Sequence, residues 1–212
     1  MTQSTPIVHV VDDDESCRRA LQRLLFANGF EVRTHASVDA FLAQWDPEAP
    51  GCVIADLEMP GLSGLDLQAH LARTGRPLPI LFLSGHADIA STVRAMRDGA
   101  EDFLEKTTAG EDLFAAVRRA LARNAVEREE RARQAALSAA FGTLTQRERE
   151  VLAHVVQGRL NKQTAGELGI HERTVKLHRT AIMAKLQVRS VAELALLTQQ
   201  AGLLSRPATY DP

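Results

Sequence analysis

Short apolar runs alternate with amphipathic segments along the first 120 residues. Residues 7–11 (IVHVV) are apolar except for His9, the pattern of a strand buried on both faces. Cys17, Ala20, Leu21, Leu24 and Leu25 then recur at helical spacing, and Asn28-Gly29 predicts where that helix stops. The alternation continues. Strands are predicted at 30–34, 52–55, 80–83 and 102–104. Helices are marked by Val38, Phe41, Leu42 and Trp45 behind a Ser37 cap, and by Leu65, Leu67 and Leu71. Two more are marked by Ile89, Val93 and Met96 before Gly99, and by Leu113, Phe114, Val117 and Leu121. Five βα units predict an α/β domain with a doubly wound five-stranded parallel sheet.

The periodicity changes after residue 122. Residues 123–142 are charged and Ala-rich, with Glu127/Arg131 and Glu129/Arg133 at i,i+4, which predicts a helical linker. From 143 onward the pattern is purely helical. Thr145 and Glu148 form a capping-box pair, and Val151, Leu152, Val155 and Val156 mark an apolar face before Gly158. Asn161 is the expected cap of a short helix ending at Leu168-Gly169; a longer helix spans 171–186, and Ser190 caps a fourth. A short helix, a glycine turn and a longer basic helix is the helix-turn-helix layout. The predicted architecture is thus an α/β domain (1–122), a linker (123–142) and an all-α four-helix domain (143–212).

Charge separates along the same lines. Residues 1–122 carry 11 Lys and Arg against 18 Asp and Glu, whereas residues 143–212 carry 10 against 6. Only the C-terminal part is suited to a polyanion. Cys17 and Cys52 have no partners at metal-ligand or disulfide spacing and read as reduced buried thiols of a cytoplasmic protein. No apolar stretch is long enough for a transmembrane helix, and no signal peptide is expected.

Ligands of open α/β sheets bind beyond the carboxyl ends of the strands. There the chain places Asp12, Asp13 and Asp14, then Asp56, Ser84 and Glu105-Lys106. Converging carboxylates repel unless a cation joins them, and a hard ion such as Mg²⁺ suits an all-oxygen site. A lysine and a hydroxyl beside them suit a phosphoryl group.

The segments VHVVDDDE, VIADLEMPGLSG, ILFLSGHAD and AEDFLEK, in this order, resemble the receiver domain of two-component response regulators. LTQREREVLAHVVQG and NKQTAGELGIHERTVKLHRTAIMAKL resemble the LuxR-type helix-turn-helix. Together they resemble the FixJ/NarL family over nearly the whole chain. The resemblance implies a flavodoxin-like receiver in which Asp56 is the phospho-acceptor. It implies that Asp12, Asp13, Asp56 and the backbone carbonyl of Glu58 hold Mg²⁺, with Asp13 a more direct ligand than Asp12. Ser84 becomes the switch hydroxyl, Lys106 the conserved-type lysine and Phe103 the aromatic that changes rotamer. It implies that Lys176, Leu177 and Thr180 face bases, while Thr174, His178, Arg179, Arg173 and Lys162 contact phosphates. The implied partners are a sensor histidine kinase, double-stranded promoter DNA, RNA polymerase and a second copy of the chain on activation. No membrane partner is implied, and activation of transcription is favoured over repression. The family usually has Pro after the lysine, often with a cis bond; Thr107 stands there and predicts a looser loop. An aspartyl-nucleophile phosphohydrolase would place a second Asp two residues after Asp56, where this chain has Glu58. The expected protein is therefore a regulator whose only chemistry is phosphoryl transfer to Asp56 and its slow loss.

Overall fold

The computed structural model describes residues 5–75, 77–85, 89–108 and 110–203. The chain divides into two compact units, residues 1–129 and 130–212.

In the first unit, strands β1 (Ile7–Val11), β2 (Glu31–His35), β3 (Gly51–Ala55), β4 (Ile80–Ser84) and β5 (Asp102–Glu105) form one parallel sheet. Its order is β2-β1-β3-β4-β5. The strand order reverses between β1 and β3, which opens a crevice at their carboxyl ends. Helices α1 (Glu15–Ala27), α2 (Val38–Leu42), α3 (Gly64–Arg73), α4 (Ile89–Arg97) and α5 (Gly110–Gly142) connect and follow the strands.

Strands β1, β3 and β4 are buried along their whole length, as their unbroken apolar runs predict. One apolar cluster joins Val11, Val53, Ala55, Ile80 and Phe82 to Phe41, Leu67, Leu71 and Ala95. The other joins Val8, Val10, Cys52, Ile54 and Leu81 to Leu21, Leu25, Leu113, Val117 and Ala120. His9, the polar interruption of β1, is buried with His35 of β2, and their rings approach at 3.1 Å between Nδ1 and Nε2. Burial, His35 and Arg33 lower the His9 pKa to about 4, so His9 is neutral at ordinary pH, and burial lowers the His35 pKa as well. Phe41 packs edge-on to both imidazoles and stacks on Trp45, with centroids 5.8 Å apart.

Local chemistry sets the ends of these elements. Asp14 caps α1 by accepting from Ser16 N–H, and Gly29 (φ +84) follows the other end in the left-handed region. Ser63 and Asp66 form a capping box on α3. The apolar positions Ile89, Val93 and Met96 of α4 are exposed, whereas Ala95 is the buried residue of that helix. The α5 helix runs through the predicted linker. Buried Asn124 accepts from Gly51 N–H at 3.1 Å, and Arg128 donates to the Glu48 carbonyl, so α5 packs on the first unit well past residue 122. Arg133 pairs with Glu130 at i,i+3 rather than with the expected Glu129.

In the second unit, α6 (Gln146–Val156), α7 (Asn161–Leu168), α8 (Glu172–Lys185) and α9 (Val191–Gln200) surround Phe141, Leu144, Val151, Val155, Val175, Ile182 and Leu194. Thr145 and Glu148 form the predicted capping box, and Ser190 caps α9. Lys185 adds a 2.7 Å ion pair to Glu148, which is buried. This pair and the Thr145 N–H lower the Glu148 pKa to about 2. Asn161 does not cap α7. Gln163 reaches back to the Leu160 N–H at 2.8 Å, so the helix is entered one residue earlier and the Asn161 side chain is released toward Arg179.

Candidate functional site

The crevice at the strand ends gathers the predicted carboxylates. Ligand atoms of Asp12, Asp13 and Asp56 lie within 4.8 Å of one another, an arrangement that can hold a metal ion. Asp12 is buried and Asp13 exposed, in the turn that leaves β1 at Val11 and enters α1 at Glu15. Lys106, just beyond β5, reaches across the crevice. Its Nζ lies 2.8 Å from Asp12 Oδ2 and 2.7 Å from Asp56 Oδ2. Burial alone would lower the lysine pKa, but the bonds to both carboxylates overcome it and raise the value. The lysine therefore stays charged and offsets the mutual repulsion of the two acids.

Ser84 is buried at the carboxyl end of β4, and its carbonyl accepts from Lys106 N–H at 2.9 Å. Phe103 is half-buried on β5 against the Phe82 ring, with centroids 6.0 Å apart. Glu58 is exposed, and its N–H points to Asp56 Oδ1 at 3.4 Å. Thr107 is exposed; no described peptide bond is cis, and the Thr107 hydroxyl lies 3.3 Å from Glu105 Oε2. Of the quoted motif ILFLSGHAD, residues 86–88 lie outside the described residues.

Three further residues shape the crevice. Arg18 Nη1 donates to the Asp12 carbonyl at 2.6 Å, bracing the turn that presents Asp12 and Asp13. Cys17 is half-buried rather than buried; burial and the Asp12 carboxylate push its thiol up to about 12. Gly64 lies against the Asp56 carbonyl, where a Cβ would come within 2.3 Å. The glycine was visible in the motif GLSG. Arg18 acts through a backbone carbonyl and left no pattern to read.

The second unit holds the other candidate residues. Along α8, Val175 and Ile182 face the core, while Arg173, Lys176, Leu177 and Thr180 are exposed on one stripe. Thr174, His178 and Arg179 are half-buried at its sides, and Lys162 is exposed at the start of α7. Arg179 Nη1 donates to Asn161 Oδ1 at 3.0 Å, tying α8 to α7. Gly169, with φ +64, makes the turn between the two helices.

A doubly wound domain with an acid-and-lysine crevice, followed by a helix-turn-helix domain, defines a class of signalling protein. Residues 8–118 match the response regulator receiver domain, and residues 142–198 match the LuxR family of bacterial regulatory proteins. The chain belongs to the two-component response regulators, as a DNA-binding transcription regulator of FixJ-like architecture. It is 42% identical to the response regulator protein TmoT of Ectopseudomonas mendocina, over 94% of this chain and 91% of that protein. It is 39% identical to the transcriptional regulatory protein FixJ of Azorhizobium caulinodans, over 96% of each. The solved structure of the response regulator StyR is similar with a TM-score of 0.87 at 46% identity, covering 93% of this chain and all of that one. A receiver domain implies a histidine kinase partner, and the LuxR-type domain implies DNA binding. No described helix is long and apolar enough to cross a membrane.

Proposed function

We propose that Asp56 accepts a phosphoryl group from the phosphohistidine of a sensor kinase. An Asp56 carboxylate oxygen attacks phosphorus in line, the O–P bond forms as the P–N bond breaks, and the histidine nitrogen takes up a proton. The observation that carries this reading is the Lys106 ammonium held 2.7 Å from Asp56 and 2.8 Å from Asp12. It balances negative charge in the crevice and stands ready to pair with a phosphoryl oxygen. Asp12, Asp13, Asp56 and the Glu58 carbonyl would hold Mg²⁺; the three carboxylates, with oxygens within 4.8 Å of one another, are hard donors that fit that ion. When bound, it would offset negative charge on the transferring group. Ser84 donates its hydroxyl to the new phosphoryl group, and Phe103 turns inward behind it.

Residues 123–142 serve as the helical linker between the receiver domain of 1–122 and the DNA-binding domain of 143–212. On phosphorylation the exposed Ile89, Val93 and Met96 of α4 pair with a second copy, giving the dimer that matches two half-sites. Lys176, Leu177 and Thr180 then face bases, with Thr174, His178, Arg179, Arg173 and Lys162 on phosphates, and RNA polymerase is recruited to activate transcription. The protein acts in the cytoplasm and is no enzyme beyond the chemistry of its own aspartate. The test is incubation with acetyl phosphate and Mg²⁺, read by intact mass. One added phosphoryl group is expected, absent in Asp56→Asn. An Asp56→Asn protein that gains the group equally would overturn the assignment.

A further inference from the structure

The exposed stripe of α8 carries an apolar interruption. Leu177 is 65% exposed, although Val175 and Ile182 on the same helix are fully buried. It contributes nothing to the core of the second unit, so packing does not account for it. Its neighbours are polar but partly committed. Lys176 Nζ lies 3.4 Å from Glu172 Oε1, and Arg179 is held by Asn161. Thr180, one turn beyond Leu177, donates its hydroxyl to the Lys176 carbonyl at 3.1 Å. With that proton used inside the helix, Thr180 offers a base its methyl group and no donor. Leu177 and Thr180 are i,i+3 neighbours and form one small apolar step between cationic side chains.

In the major groove the apolar feature that distinguishes one base pair from another is the thymine 5-methyl group. We infer that Leu177, with the Thr180 methyl, reads the 5-methyl group of a thymine in each half-site. This rests on the reading that α8 enters the major groove, and it names the base chemistry that α8 selects there. The flanking Lys176 and Arg173 supply attraction without that selectivity.

The experiment uses the full-length protein with Mg²⁺ and acetyl phosphate. Duplexes are enriched from a random-sequence pool, and each thymine of the tightest one is replaced singly by deoxyuridine, which deletes only the methyl. At one thymine per half-site, deoxyuridine should weaken binding about fourfold, the worth of burying one methyl group. Leu177→Ala should bind the thymine and deoxyuridine duplexes equally. Lys176→Ala should weaken both and keep their ratio. If no deoxyuridine substitution weakens the wild-type protein, or if Leu177→Ala keeps the fourfold ratio, the inference is overturned. If no duplex is enriched at all, the DNA-binding reading fails with it, a result separable from a methyl group that goes unread.

Discussion

A methyl group on Gly64 would meet the Asp56 carbonyl at 2.3 Å and the Phe82 ring at 2.9 Å. Gly64→Ala must therefore push α3 away from β3 or displace Asp56. It should destabilise the receiver by about 1–3 kcal/mol, read from urea unfolding, and slow phosphoryl uptake. Gly142→Ala, with open space around its Cβ position, should do neither. The single residues of the crevice were legible because they are polar groups at the carboxyl ends of strands: Asp12 and Asp13 after β1, Asp56 after β3, Lys106 after β5. What stayed illegible works through the backbone. Arg18 holds the Asp12 carbonyl, and His35 presents its own carbonyl to the Asp12 N–H at 3.2 Å. Neither contact depends on a periodic position, so neither shows in a pattern of apolar and polar residues.

At the scale of elements, α6 depends on one carboxylate. Glu148 closes the capping box and takes the Lys185 ion pair, and its pKa is depressed from 4.5 to about 2. A group with a depressed pKa stabilises the fold above its ordinary value, and that contribution is lost as pH falls toward the folded value. Hydrogen exchange should thus show α6 protection declining between about pH 4.5 and 2 in the wild type. Glu148→Gln keeps an acceptor for the Thr145 N–H but loses the Lys185 ion pair, so it should start lower by about 1 kcal/mol and lack this decline. On α7, the exposed Lys162 predicts a salt effect: Lys162→Ala should weaken DNA binding on all sequences and reduce the salt slope by about one. Most strands and helices followed from the apolar periods to within a residue or so, but α2 ends at Leu42, so Trp45, expected on that helix, lies beyond it. The α4 helix was the misleading case, since its apolar spacing marks an outward face. Met96→Glu should abolish phosphorylation-dependent dimerisation in light scattering and leave phosphoryl uptake by intact mass unchanged. Asn161 misled for another reason: two adjacent residues could enter the helix, and the Gln163 side chain decided for Leu160.

At the scale of the molecule, the acidic first part and basic last part correspond to two units with separate apolar cores. The charge count foretold which unit meets a polyanion, because net charge survives whatever the local fold. The extent of α5 packing on the first unit was not foretold. A charged, Ala-rich stretch looks alike whether it is solvated or anchored by one buried residue such as Asn124. The stacking of Trp45 on Phe41 has an optical consequence. Trp45 is the only tryptophan of the chain, so its emission reports the melting of the first unit and is blind to the second. Circular dichroism sees the helices of both. Thermograms recorded by the two signals should fail to superimpose, and their difference isolates the transition of the DNA-binding unit without cutting the chain.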